Sequence, residues 1–203
     1  TVGGDGRVWV AWSSREKGHF DVFARSMKDG KFDERMRVST GGGNHHTPVA
    51  ATDGKGRVWV AWQGARGGVF RIFARRQTNS GGWAGASPVS NQSRNCWSPA
   101  IAADLKNGGI AIAWDTYEKG DYDVWLREYD RNGQPKKPRP VANLHQFESR
   151  PSLAYDQRGA LWVAWERSGK NWGKDWGALD FGENMGLYWN RQVGLRVLKD
   201  GKW

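Results

Sequence analysis

At 203 residues, 38% of them apolar and 26% charged, the chain is long enough to bury a core, and its composition excludes disorder as a whole. The lone cysteine, Cys96, excludes an intrachain disulfide and reads as a buried small hydrophobe, and no apolar run approaches the length of a membrane-spanning helix. A net charge of +10 favours anionic partners, but the densest basic stretch, Lys136, Lys137 and Arg139, is broken by Pro135, Pro138 and Pro140, and reads as a solvated hairpin, not a specific nucleic-acid patch.

In chain order, the first strong element is Arg7-Val-Trp-Val-Ala-Trp12. It recurs as Arg57-Val-Trp-Val-Ala-Trp62, Gly109-Ile-Ala-Ile-Ala-Trp114 and Ala160-Leu-Trp-Val-Ala-Trp165, with the final Trp residues 50, 52 and 51 positions apart. Near-continuous apolar runs of this length, rich in β-branched and aromatic residues, are strands covered on both faces. A shorter strand precedes three of them: Thr47 to Asp53, Ser98 to Asp104 and Arg150 to Asp156, each entered through Pro, where a strand tolerates it. A third strand ends at Arg25, Arg75, Arg127 and Arg196. The dipeptides Asp29-Gly30, Gly81-Gly82, Asn132-Gly133 and Asp200-Gly201 then predict two-residue hairpin loops with positive φ. A fourth strand ends at Val38-Ser39, Val89-Ser90 and Val141-Ala142. Four antiparallel strands, repeated at this period, predict an all-β fold, a β-propeller of four blades. The blades span about 1–40, 44–91, 95–143 and 147–203, the last lacking its outer strand. The expectation is one segment of a larger ring, completed by further blades, with assembly of a second copy as the alternative.

The rhythm P-x-x-x-x-D-x-x-G-x-x-W-V-A-W resembles the sialidase-like and Asp-box-like propellers of bacterial extracellular proteins. The Asp-box itself, Ser-x-Asp-x-Gly-x-x-Trp, is degenerate at Ser26 to Phe32 and at Lys199 to Trp203. The resemblance implies the fold and an extracellular or periplasmic location; such rings host hydrolases, lectins and scaffolds. A second stretch, Asn171 to Trp176 and Gly186 to Arg191, is similar to bacterial propeller modules that precede a PHP-type metal-dependent hydrolase domain. That would make this chain an accessory module, the chemistry lying in a domain whose metal ligands are not in this sequence.

Repetition separates scaffold from site. Residues present in every blade, namely Trp12, Trp62, Trp114 and Trp165, the aligned Arg residues, and Asp5, Asp53, Asp104 and Asp156, are assigned to packing and turns. Departures from the repeat gather in the inter-blade loops and in the connections from second to third strand, which share one face. The ligand-binding candidates are His45, His46, Arg94, Trp97, His145, Glu148, Arg150, Arg167, Trp172, Asp175 and Trp176. The last three lie in a connection of about twenty residues in blade 4 that elsewhere takes six or seven, a length common in lids and interaction loops.

Among chemistries, Asp115 and Glu166 hold the same repeat position in adjacent blades and are the paired-carboxylate candidates for glycosidic-bond cleavage. Phe70-Arg71-Ile72 superficially resembles a sialidase Phe-Arg-Ile-Pro element, but Phe73 replaces the Pro. The three loop His residues lack compact ligand spacing, so neither a metal nor another cofactor is expected. The leading expectation is a non-catalytic module binding a carbohydrate or protein on its variable face; the alternative is a glycan-processing hydrolase completed by other blades.

Overall fold

The computed structural model describes residues 1–90, 94–118, 120–169 and 191–203. They form four antiparallel blades. Blade 1 comprises β1 (Val8–Glu16), β2 (His19–Lys28) and a split outer strand, β3 (Lys31–Phe32) and β4 (Met36–Arg37). Blade 2 comprises β5 (His45–Thr52), β6 (Val58–Arg66), β7 (Val69–Arg76) and β8 (Ser87–Pro88). Blade 3 comprises β9 (Cys96–Ala103), β10 (Ile110–Glu118), β11 (Asp121–Tyr129) and β12 (Arg139–Ala142). Blade 4 comprises β13 (Phe147–Tyr155), β14 (Leu161–Ser168) and β15 (Gln192–Leu198). A single parallel pair, Tyr122 with Phe147, links the sheets of blades 3 and 4. No helix among the described residues is long and apolar enough to cross a membrane.

The core lies between blades, and strand alternation builds it. In β6, Val58, Val60 and Trp62 meet Val22, Ala24 and Val38 of blade 1, while Trp59 and Ala61 meet Ile110, Ile112 and Trp114 of blade 3. In β10, Ala111 and Ala113 turn the other way, toward Leu161, Val163 and Trp165 of blade 4. Each interior strand therefore serves two interfaces, which is why its sequence reads as an unbroken apolar run.

The repeated Arg residues stitch those interfaces. Arg75 reaches the Val38 carbonyl at 3.5 Å, Arg127 the Pro88 carbonyl at 3.4 Å and Arg196 the Val141 carbonyl at 2.7 Å, in each case at the outer edge of the preceding blade.

The turns at one end of the blades, called here the turn end, are organised by the repeated Asp. Asp53 Oδ1 accepts the Lys55 and Arg57 N–H groups, and its Oδ2 accepts the Trp59 indole at 2.8 Å. Asp156 repeats this with Arg158, Ala160 and Trp162. This is an Asx turn with an added indole tie.

Three expectations change. Of the four hairpin dipeptides, Asp29-Gly30 and Asp200-Gly201 have positive φ at both residues. Gly81-Gly82 and Asn132-Gly133 instead sit in wider turns, closed by Gly81 N–H to the Thr78 carbonyl and Gly133 N–H to the Asp130 carbonyl. Outer-strand pairing stops short of Val38 and Val89, because Ser39 and Ser90 hydroxyls accept the Val22 and Ile72 N–H groups that backbone carbonyls would otherwise take. In blade 3 that position is Ala142, which has no hydroxyl, and there the ladder runs on to the Val124–Ala142 pair. Finally, the connections from second to third strand in blades 1 and 2 shrink to Lys17-Gly18 and Gly67-Gly68, the strands running further than composition suggested.

Candidate functional site

The opposite end of the blades, the loop end, carries the departures from the repeat. Its geometry begins with a bulge. Thr47, Ser98 and Arg150 each precede a Pro and each has positive φ, 47°, 49° and 53°, and the ladder slips register at each. Left-handed backbone is costly for such residues, and strained bulges cluster at functional rims. The bulged side chains face the end of the neighbouring long strand, where the repeat places Gln63, Asp115 and Glu166. Thr47 Oγ1 lies 3.4 Å from Gln63 Oε1, and Arg150 Nη1 lies 3.2 Å from Glu166 Oε1.

Asp115 is only 1% exposed. Its Oδ2 accepts the Ser149 hydroxyl at 2.6 Å and the Arg150 N–H at 2.8 Å, both from blade 4. Burial pushes its carboxyl up; the Ser149 hydroxyl, the Arg150 N–H and the Ser98 hydroxyl oppose this, and among the described residues Oδ1 has no hydrogen-bond partner. Asp115 thus ties two blades together under the site floor, while Glu166 is engaged by Arg150 at the surface.

Over this floor runs an aromatic cluster. Tyr122 is the hub, with ring centroids 5.8 Å from Trp97, 5.0 Å from Tyr117 and 5.4 Å from Phe147, and the Arg191 guanidinium lies over Phe147. Trp97 is partly open to solvent and Tyr117 is exposed. Aromatic faces beside a charged pair offer both an apolar platform and directed hydrogen bonding.

A carboxylate group sits beside it. His145 Nδ1 is 3.2 Å from Asp121 Oδ2, and Glu148 Oε2 accepts the Leu144 N–H at 2.9 Å. Burial, then the charges of Asp121 and Glu148, push Asp123 up to about 6, with Arg94 and His145 opposing. Burial likewise raises Glu148.

The remaining candidates fall elsewhere. His45 is a core residue: it is wholly buried, its Nδ1 accepts the Trp62 indole at 3.1 Å, and burial lowers its imidazole. It shares its repeat position with Cys96 and Glu148, both also buried. His46 packs on Phe20 at 4.7 Å, between blades 1 and 2. Arg167 pairs with Gln192 across blade 4. Trp172, Asp175 and Trp176 lie outside the described residues. Among the described residues, no three His, Cys, Asp or Glu side chains are grouped to hold a metal ion. Sequence reasoning also missed two concavities at the turn end. One of about 790 Å³ between blades 1 and 2 is lined by Arg7, Trp9, Asp33 and Arg57; one of about 530 Å³ between blades 3 and 4 is lined by Asp104, Tyr129, Tyr155 and Arg158. Some of their polar residues are committed to scaffold contacts, such as Arg7 with Asp33 and Arg57 with Asp53.

No protein-family model matches the sequence, and no curated protein matches it. Solved structures do. A protein of unknown function from Dyadobacter fermentans superposes with a TM-score of 0.68 at 15% identity, over 99% of this chain and 64% of that one. An α-L-arabinofuranosidase from Fusarium graminearum gives 0.67 at 15% identity, over 100% of this chain and 62% of that one. A Hadza microbial sialidase gives 0.56 at 14% identity, over 89% and 43%. The chain thus spans less than two thirds of the length of each, and at this identity the likeness establishes the propeller fold and nothing finer.

Proposed function

We propose that the loop end of blades 3 and 4 is a carbohydrate-binding face, and that this chain binds a glycan there without cleaving it. The observation that carries this reading is the Trp97–Tyr122–Tyr117–Phe147 cluster standing beside the Arg150–Glu166 pair. Sugar rings present apolar C–H faces and hydroxyl edges, and a site with aromatic faces next to a charged pair can engage both. The named neighbours include an arabinofuranosidase and a sialidase, which favours a glycan over a protein ligand. Their activities also fit an extracellular or periplasmic setting.

Binding is favoured over cleavage by the state of the two matched carboxylates. Asp115 is sealed beneath the surface with Oδ2 committed to Ser149 and Arg150, while Glu166 lies at the surface beside Arg150, so the two are not presented together across a glycosidic bond. Hydrolysis is a second reading, favoured by one feature: Asp123 retains its proton to about pH 6, as a general acid must.

One panel tests both. Arabino-, xylo- and sialyl-oligosaccharides are titrated calorimetrically into the wild-type chain and into Trp97→Ala and Tyr117→Ala, with release of reducing ends followed in parallel. Saturable binding that each substitution weakens about tenfold or more, without bond cleavage, is expected. Binding unchanged by both substitutions contradicts the site, and turnover lost in Asp123→Asn would favour the hydrolase.

A further inference from the structure

The interfaces between blades differ at one pair of positions near their outer edge, where the third strand of one blade meets the Arg stitch of the next. Ser26, Arg76 and Glu128 hold the same place in blades 1, 2 and 3, one residue after the aligned Arg. Asp33, Ala84 and Lys136 lie beside them on the returning chain, each donating its N–H to that residue's carbonyl. Blade 1 thus brings a carboxylate, Asp33, which accepts from the Ser26 hydroxyl and from Arg7. Blade 3 brings another, Glu128, which takes Lys136 and Arg139. Blade 2 brings neither: Ala84 is uncharged, and Arg76 adds a second cation on the face that packs against blade 3.

A cavity of about 290 Å³ lies at that place, between the outer edges of blades 2 and 3. Trp59, Arg76, Ser87, Pro88, Arg127 and Tyr129 line it, and among the described residues no Asp or Glu does. Arg76 reaches from blade 2 to the Asn132 carbonyl at 3.4 Å, and Arg127 reaches from blade 3 to the Pro88 carbonyl at 3.4 Å. Both are long for bonds from a charged donor. Arg127 Nε is buried with no hydrogen-bond partner among the described residues, whereas the same atom of Arg25 and of Arg75 donates to the Asp33 and Ala84 carbonyls. Burial, then the Arg57 charge, lowers Arg76; Asp53, which opposes this, is already taken by Arg57 and the Trp59 indole. Two guanidiniums from different blades are therefore held at one cavity without a carboxylate of their own.

We propose that this cavity holds a tetrahedral oxyanion, a phosphate or sulfate group, where blades 1 and 3 place a carboxylate. Donors converge on it from two blades. An anion with oxygens in all directions can accept from both, whereas a planar carboxylate presents its two oxygens to one side. The anion offsets like charges held across an interface, so its binding stabilises the fold. It can arrive as a free ion or as the monoester of a sugar, since both present the same oxygens. The site is separate from the sugar face of blades 3 and 4 and does not depend on it.

Titration calorimetry and thermal melting at fixed ionic strength test this, with inorganic phosphate, inorganic sulfate, glucose 6-phosphate and acetate as probes against chloride. Phosphate and sulfate are expected to bind saturably and raise the melting temperature, and acetate to bind about tenfold more weakly. Glucose 6-phosphate binding as tightly as phosphate identifies an esterified group as the source; phosphate binding without it identifies the free ion. Arg76→Gln should weaken binding about tenfold or more, while Lys28→Gln, which removes the same charge from an exposed position in blade 1, should leave it unchanged. Arg76→Glu gives blade 2 the carboxylate of blade 3; it should melt in chloride no lower than the wild type and gain nothing from phosphate. It also carries the test should Arg76→Gln fail to fold. Absence of saturable binding of both phosphate and sulfate, acetate binding as tightly as they do, or an Arg76 variant that responds like the wild type overturns the proposal.

Discussion

The two ends of the blades treat their carboxylates in opposite ways. At the turn end, burial works against ionised Asp53, but the Arg57 side chain, the Trp59 indole and the N–H groups of Arg57 and Lys55 outweigh it, and the pKa is lowered. Asp130 and Asp156, bonded by turn N–H groups, are lowered too. At the loop end, burial raises Asp115, Asp123 and Glu148. Asp21, held by Ser39 and Arg37, is lowered although it lies at the loop end of blade 1, so the contrast belongs to blades 3 and 4. A scaffold satisfies its charges and gains stability from them. A region that keeps strained bulges and under-satisfied carboxyls gives stability up, and that is how binding sites commonly differ from the frame that holds them.

The contrast breaks most visibly if interface and outer-face positions behave alike. Ile112→Ala should lower stability by about 3 to 4 kcal/mol, because it opens a cavity between blades 2 and 3, whereas Val10→Ala should change it by less than about 0.5 kcal/mol; denaturant unfolding measures both.

Next in size is Asp53→Asn, expected to cost about 3 kcal/mol at neutral pH, since it strands the buried Arg57. A carboxyl with a lowered folded pKa contributes stability above its unfolded pKa and loses it as pH falls through the folded value. The wild type should therefore lose stability below about pH 4, and the variant should lack that part of the acid limb.

Asp123→Asn sharpens the comparison from the other side. A raised carboxyl favours the folded state below its unfolded pKa of 3.8 and loses that contribution as pH rises toward 6. The variant should be more stable than wild type by about 1 to 2 kcal/mol at pH 7, allowing for partial solvent screening, and no more stable at pH 3. Melting temperatures across this range decide it. A small gain is expected at the bulge: Thr47→Gly relieves positive φ on an exposed β-branched residue and should gain about 0.5 kcal/mol.

The frame was legible because it repeats. Four Trp-ended runs, the turn Asp residues and the aligned Arg residues recur from blade to blade, so a structural role could be read off the sequence, although Arg25 bonds within its own blade where Arg75, Arg127 and Arg196 reach the preceding one. The stitch made by Arg75, Arg127 and Arg196 was readable as structural, though not as a link between blades. The site was legible only as a face. His45 stands out as a loop histidine, yet its repeat position, shared with Cys96 and Glu148, points inward, and only the register of the bulge reveals this. Tyr122 was hidden for the converse reason: it sits where Phe20 and Phe70 sit, so it resembled scaffold, while its neighbours Trp97, Tyr117 and Phe147 make it a hub. Asp115 was visible as a carboxylate, but its burial depends on Ser149 and Arg150 arriving from the next blade, a contact no local pattern encodes.

The central claim is that ligand binding belongs to the loop end of blades 3 and 4 and not to the concavities of the turn end. Chemical-shift mapping with an oligosaccharide selected in the calorimetric panel tests it most directly. The account predicts shifts confined to Trp97, Tyr117, Tyr122, Arg150 and their neighbours, with the indoles of Trp59 and Trp162 unmoved. Shifts centred on Arg7, Arg57 or Asp104 at the turn end would contradict it.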